Sequence, residues 1–170
     1  MAIGALAGGK MIPYGRRLAM ILMSIVGSVG VILTLIQNFY VLLIGRVIFG
    51  FAAGSQGVIV IRMIDDYAPE NLKSICFGLF QATGNLGIFI VMLGGLILPK
   101  DTDTKGLEEN GTWRIIFGFP LLLEVIILFG FLVVMRHDTP KFYISKGNRE
   151  MAIHSIHSIY KTHGKEQFAL

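Results

Sequence analysis

The sequence is poor in charge and has almost no cysteine. Charged residues make up 15% of the 170 residues, whereas hydrophobic residues make up 54%. A water-soluble domain of this length needs more polar surface than that. Cys76 is the single cysteine, so the chain cannot form an internal disulfide, and a thiolate metal cluster is disfavoured. No nucleophile, metal or phosphate-loop constellation is recognisable, which argues against a soluble enzyme and predicts neither enzyme activity nor a cofactor.

Long stretches of the chain carry no charge at all. They run from Leu18 to Gly45, from Val47 to Ile61 and from Ser74 to Pro99. Such runs are typical of membrane-spanning helices, which need about 20 residues. Backbone inside lipid must satisfy its own hydrogen bonds, and helices do so. The sequence therefore predicts an all-α membrane protein with four transmembrane helices, at 18–37, 39–62, 75–98 and 113–135.

These spans divide the chain into three regions. Residues 1–17 are too short and too interrupted to cross a bilayer, and we interpret them as the inner end of a preceding helix followed by a cytoplasmic loop. Residues 18–135 form the four-helix transmembrane region. Residues 136–170 form a cytoplasmic tail, in which Asn148 can cap a short amphipathic helix. The apolar positions of that helix are Ala152, Ile153, Ile156, Ile159 and Tyr160.

The basic residues lie mainly on one side of the predicted bundle. Three of them fall on the side of the 99–112 loop, namely Lys100, Lys105 and Arg114. Eleven fall on the other side, namely Lys10, Arg16, Arg17, Arg62, Lys73, Arg136, Lys141, Lys146, Arg149, Lys161 and Lys165. The positive-inside bias then predicts that both termini are cytoplasmic. Because these residues flank the spans and form no stripe with exposed aromatics, the net charge of +4 does not indicate nucleic-acid binding.

Two ionisable residues lie within the predicted spans. Arg46 lies roughly 10 Å and Glu124 roughly 16 Å from the outer ends of their helices, at 1.5 Å per residue. Intramembrane charges are costly and are functional candidates by default. The alternative is that each merely pairs with a neighbour or extends to the interface. Glu124 is too deep for its carboxyl to reach the interface easily. It must therefore face protein or water, or be protonated.

Two further polar features admit more than one interpretation. Gln81 places a primary amide in the third span, where either a neighbouring helix or a polyhydroxyl ligand could supply its hydrogen-bond partners. His154 and His157 are three residues apart on the polar side of the amphipathic helix. No third ligand is evident, so a solvated helix face is favoured over a metal site.

Several short motifs, taken together and in order, resemble the major facilitator superfamily and its sugar-porter branch. They cover nearly the whole chain: Gly8 and Gly15-Arg16-Arg17; Gly45-Arg46 with Gly50 and Gly54; Asp66-Tyr67-Ala68-Pro69 with Leu72-Lys73; Gln81 with Gly87-Ile88; Trp113-Arg114; and Asp138-Thr139-Pro140-Lys141-Phe142. The pattern also departs from the family. Lysines stand at 73 and 141 in place of arginines, and aspartates stand at 66 and 138 in place of glutamates.

The resemblance implies helices three to six of an alternating-access transporter. It implies that Gln81 contacts the sugar, and Gly84 and Ile88 lie on the same helix face. It also implies a cytoplasmic ion-pair network that selects between transport states. The members of that network would be Arg16, Arg17, Asp66, Lys73, Asp138 and Lys141.

The predicted function is therefore transport of a hexose-type sugar, as part of a larger transporter. We expect the 170 residues alone to be inactive. The alternative is a transporter-derived structural subunit of a larger membrane complex. The expected partners are membrane lipids, the sugar, and the remaining transporter helices or other membrane subunits.

Overall fold

The described parts of the chain are almost entirely helical. The computed structural model describes residues 1–96, 112–135 and 138–159. In chain order the elements are α1 (Ala2–Met11), a 3-10 turn (Ile12–Tyr14), α2 (Arg16–Thr34), α3 (Phe39–Tyr67), α4 (Glu70–Gly95), α5 (Thr112–Phe129), a π-helical turn (Gly130–Val134), α6 (Pro140–Ser145) and α7 (Arg149–Ile159). Four of these, α2 to α5, are long and apolar enough to cross a membrane. The predicted all-α fold with four spans is confirmed.

The connection between α3 and α4 is shorter than the charge pattern suggests. We predicted an end at residue 62 and a restart at residue 75, because charged residues begin at Arg62. In the structure α3 continues to Tyr67 and α4 begins at Glu70. Proline disfavours helical backbone in the residue before it, so the break falls at Ala68 and Pro69. Charge therefore marks where the helices leave the apolar region, while proline marks where they end.

The tightest packing is between α2 and α3. Buried residues of these two helices, Ala19, Met20, Met23, Ile59 and Met63, form the hydrophobic core. Helix α1 packs on α3, and α5 packs on α2. Helix α4 makes few contacts, and none of its residues is buried. The chain thus has a packed side built from α1, α2, α3 and α5, and an open side at α4.

Two small helices lie at the end of the bundle where α2 begins. Helix α6 was not predicted; Thr139 caps it, with its hydroxyl accepting from Phe142 N–H at 3.3 Å. In α7, Ala152 is buried as expected, but Ile153 is exposed and Ser155 is buried instead. The reason is that the Ser155 hydroxyl donates to the Asp138 carbonyl at 2.8 Å. The predicted apolar face is therefore wrong at Ile153.

Some predictions fall outside the described part of the chain. These are most of the loop at 99–112, the last two residues of the span predicted at 75–98, and Tyr160 with the rest of the tail. The side chains of Trp113, Ile156, His157 and Ile159 also lie outside it.

Candidate functional site

A polar cluster lies in the middle of the packed side, where α2, α3 and α5 meet. The Gln56 amide of α3 donates from Nε2 to both carboxyl oxygens of Glu124 on α5, at 3.1 and 2.9 Å. It also lies 3.4 Å from the Ser24 hydroxyl of α2. Glu124 is only 4% exposed and Ser24 is fully buried. We call Ser24, Gln56 and Glu124 the mid-helix cluster.

A glycine provides the space for the Glu124 carboxyl. A Cβ atom on Gly27 of α2 would lie 2.6 Å from Glu124 Oε1 and 3.5 Å from the Ala52 Cβ of α3. Because the first distance is shorter than a van der Waals contact, a larger residue at position 27 would displace the carboxyl. The absence of a side chain at Gly27 is thus part of how the sequence builds this cluster.

The other intramembrane charge does not join this cluster. The Arg46 guanidinium lies over the Phe117 ring of α5, with its central carbon 4.2 Å from the ring centroid. Arg46 and Gln56 are ten residues apart on α3, which corresponds to roughly 15 Å along a helix. No ion pair joins Arg46 to Glu124 in the described residues. An aromatic face thus neighbours the arginine, and an amide neighbours the glutamate.

A second cluster lies at the end of the bundle that we predict to be cytoplasmic. Arg16 Nε lies 2.5 Å from Asp66 Oδ2, as an ion pair without hydrogen-bond alignment. Lys141 Nζ lies 3.3 Å from the other Asp66 oxygen and 3.9 Å from Asp65 Oδ2. Lys73 Nζ donates to Asp65 Oδ1 at 3.0 Å. We call Arg16, Asp65, Asp66, Lys73 and Lys141 the inner-face cluster; it joins α2, α3, α4 and α6.

Asp138 contacts the start of a helix rather than the charged side chains of the predicted network. Its Oδ2 accepts from the backbone N–H of Arg17 at 3.2 Å, in the first turn of α2. Gly15, which precedes α2, has no side chain to cap the helix, so Asp138 takes that role from 121 residues along the chain. Gly15 has φ of 130°, and a Cβ there would lie 3.0 Å from Asp138 Oδ2. Glycine is therefore needed at position 15 for both its backbone angle and its size.

The Arg17 side chain also contacts backbone rather than an acid. Its Nε donates to the carbonyl of Phe131 at 3.1 Å and to that of Met135. These carbonyls lie in and just after the π-helical turn that ends α5, where backbone acceptors lack partners within the helix. Of the six residues of the predicted network, the structure thus brings Arg16, Asp66 and Lys141 together. It places Lys73 on Asp65, and Arg17 with Asp138 at the start of α2.

The three predicted sugar-contacting residues share one exposed face of α4. Gln81, Gly84 and Ile88 are all exposed, and nothing lies within 4 Å of a Cβ built on Gly84. No described residue forms a hydrogen bond with the Gln81 amide. A neighbouring helix within the described chain therefore does not satisfy this amide.

Sequence reasoning did not identify Ser24, Gln56 and Asp65 of the two clusters, nor Phe117, which lies against Arg46. Gln56 carried a usable signal, because it is a primary amide inside an apolar span, which is the argument applied to Gln81. Asp65 was passed over because Asp66 fits the family motif. Ser24 and Phe117 carried no signal, since a serine or an aromatic residue is ordinary in a membrane helix.

No residues suited to a metal ion converge in the part of the chain that the structure describes. No group of three His, Cys, Asp or Glu side chains is found there. His154 is exposed on α7.

Comparisons with known proteins point to one family. The sequence model of the family described as "Sugar (and other) transporter" matches residues 1–168. The chain is 27% identical to Hexose transporter 1 of Plasmodium falciparum over 170 aligned residues, which cover 94% of this chain and 34% of that protein. It is 29% identical to Hexose transporter 1 of Toxoplasma gondii, covering 93% of this chain and 29% of that protein. Hexose transporter HXT13 of Saccharomyces cerevisiae is 28% identical, with coverages of 99% and 29%.

The chain spans about a third of the length of these relatives. The family match extends over almost all of its residues, and four apolar helices agree with an integral membrane protein. The chain therefore belongs to the sugar transporter family, within the sugar-porter branch of the major facilitator superfamily.

Proposed function

We propose that this chain supplies helices three to six of a transporter that moves a hexose-type sugar across a membrane by alternating access. The observation that carries the proposal is the family match over residues 1–168, together with relatives that are hexose transporters. Since the chain spans about a third of those relatives, the 170 residues alone are not expected to transport. No enzyme activity is part of this proposal.

In this proposal the exposed face of α4 faces the sugar. The Gln81 amide offers two donors and two acceptors, which suit the hydroxyl groups of a sugar. The open surface at Gly84 leaves room beside it, and Ile88 continues the same face one turn further on. The Gln81 amide, which no described helix satisfies, supports a role in binding a polar ligand.

A graft tests this role. The segment of Saccharomyces cerevisiae HXT13 that aligns with this chain is replaced by the chain, and hexose uptake is measured in cells without other hexose transporters. The graft should give saturable uptake, and Gln81→Leu should raise its KM severalfold. Thr83→Val is the matched control, because the Thr83 hydroxyl bonds carbonyls of its own helix at 2.9 and 3.0 Å. A correctly inserted graft without uptake, or an unchanged KM in Gln81→Leu, would contradict the proposal.

The inner-face cluster is proposed to act as a latch that favours one transport state. Its pairs join four elements at one end of the bundle, so a rocking motion that separates those elements must break them. Charge reversal with Asp66→Lys in the graft should change the accessibility of the α4 face to a membrane-impermeant reagent. If the accessibility equalled that of the unmodified graft, these charged residues would serve only to orient the chain in the membrane.

Both termini are proposed to be cytoplasmic, on the basis of the distribution of basic residues. A cysteine introduced at Thr102, in a background with Cys76→Ser, should react with an impermeant thiol reagent added outside the cell. Labelling only from the cytosol would reverse this topology.

A structural membrane subunit derived from a transporter is the second candidate. The observation that favours it is the open side of the bundle, where every described residue of α4 is exposed or half-buried and could pack against another subunit. Under this alternative the graft would insert without transporting, and the native chain would purify in a stoichiometric complex with another membrane protein.

A further inference from the structure

Helix α5 buries its only acidic residue. Among the described side chains of α5, Glu124 is the one that is buried, whereas apolar neighbours such as Leu123 and Val125 are exposed. Burial of apolar side chains normally decides how a helix packs against a soluble core. Here an acidic side chain points into the bundle beside the partly buried Ile127, so its interactions contribute to how α5 contacts α2 and α3.

The surroundings of the Glu124 carboxyl are neutral on every side that packs against it. Helix α2 presents Ser24 and Gly27, and α3 presents Gln56 and Ala52. No lysine, arginine or histidine from the described parts of these helices forms an ion pair with it. Arg46, the intramembrane cation, lies over Phe117 instead. Among the described residues the carboxyl therefore has hydrogen-bond partners but no counter-ion.

The two protonation states of such a carboxyl differ greatly in how well they fit this site. A buried carboxylate needs a paired cation or several donors to replace its hydration, and among the described residues only one amide and one hydroxyl donate to this carboxyl. A neutral carboxylic acid needs less, because it has one donor and retains acceptor capacity. The Ser24 hydroxyl can accept a hydrogen bond from the O–H group of that acid. The packed geometry thus fits the neutral acid better.

We propose that Glu124 is a proton-binding site: it holds a proton while α5 is packed on α2 and α3, and releases it to water when α5 moves away. On release the carboxyl O–H bond breaks, the electron pair stays on the carboxylate, and the proton is taken up by a water molecule. This goes beyond sugar transport, since it makes the packing of α5 depend on pH. The packed state binds one more proton than the separated state, so raising the pH favours separation.

Infrared spectroscopy of the whole 170-residue chain in lipid nanodiscs tests the protonation state. At neutral pH the wild-type chain should show a carbonyl stretch from a protonated carboxylic acid. Glu124→Gln, which resembles the neutral acid in shape and charge, should lack that band and retain the helical spectrum. Absence of the band in the wild-type chain would show that Glu124 is ionised and would overturn the proposal. So would failure of Glu124→Gln to fold, because a neutral side chain should be accepted there.

A distance measurement tests the coupling to helix packing. Spin labels are attached to cysteines at Ile32 on α2 and Leu122 on α5, both exposed, in a Cys76→Ser background. Their separation should increase at alkaline pH in the chain with Glu124, and should not change with pH in Glu124→Gln. Asp65→Asn is the matched control, because it removes a carboxyl of the inner-face cluster and should leave the pH-dependent increase intact. A pH-dependent increase that persists in Glu124→Gln, or its loss in Asp65→Asn, would overturn the proposal.

Discussion

The mid-helix cluster and the inner-face cluster both place carboxyl groups between helices, but they satisfy them differently. In the middle of the bundle, Glu124 forms hydrogen bonds with an amide and a hydroxyl. At the inner face, Asp66 lies between a guanidinium and an ammonium group. A charged side chain stays hydrated near water, whereas the free-energy cost of placing one deep in the membrane is high. We therefore expect the hydrogen bonds of the first cluster to be insensitive to salt, whereas the solvent-exposed pair of the second cluster, Lys73 with Asp65, is screened by ions.

The largest expected effect comes from breaking the mid-helix cluster on one side only. Gln56→Leu removes the amide donor and leaves the buried Glu124 carboxyl with the Ser24 hydroxyl alone, which should cost about 1–3 kcal/mol. The double variant Gln56→Leu with Glu124→Leu should recover most of this loss, because two apolar groups then replace two polar ones. The free energy of unfolding in detergent micelles, measured for both single variants and the double variant, gives the coupling.

The control is the same substitution at an exposed amide. Gln81→Leu, on the open face of α4, should leave the free energy of unfolding nearly unchanged. Equal losses at positions 56 and 81 would show that the mid-helix hydrogen bonds do not stabilise the bundle.

A smaller loss in the free energy of unfolding is expected when the hydrogen bond that caps α2 is removed. Asp138 is 8% exposed and caps α2 through the Arg17 N–H. Asp138→Ala should therefore cost about 0.5–2 kcal/mol, as loss of a helix cap does. Asp138→Asn keeps an acceptor oxygen and should lose less. Thermal unfolding of the two variants separates these cases, and equal losses would indicate that the negative charge, not the cap, is what stabilises α2.

The four-helix architecture was predictable because it depends on the total hydrophobicity of long segments. Four apolar stretches of sufficient length predict four helices, whatever the details of any one residue. The helix ends were less predictable, since charge near Arg62 suggested an end that the backbone reaches only before Pro69. Helix α6 was missed because six residues carry too little periodicity to detect.

The clusters were only partly predictable, because they depend on which helix faces meet. Glu124 could be identified as costly from its depth alone, but its partner Gln56 is 68 residues away. The capping of α2 by Asp138 spans 121 residues and uses a backbone group, which no side-chain pattern records. Lys141 lies near both Asp65 and Asp66, whereas Lys73 pairs with Asp65. The family motif includes only Asp66 of these two adjacent aspartates.

The smallest change in stability is expected at the exposed edge of the inner-face cluster. Its dependence on salt distinguishes this cluster from the mid-helix cluster. Lys73 and Asp65 form a close pair, but both side chains are partly open to solvent, at 26% and 38% exposure. An exposed pair stabilises little and is screened by ions, since the Debye length falls from about 10 Å at 0.1 M salt to about 3 Å at 1 M. Lys73→Gln should thus lower the midpoint of thermal unfolding slightly at low salt and not at all at high salt.

Lys10→Gln, a charge loss at an exposed end of α1, is the control and should have no salt-dependent effect. The loss in Gln56→Leu should in contrast be the same at both salt concentrations, because mobile ions do not reach a buried amide and carboxyl. If Lys73→Gln were as damaging at high salt as at low salt, the inner-face cluster would stabilise the fold in the same way as the mid-helix cluster, and the distinction between them would fail.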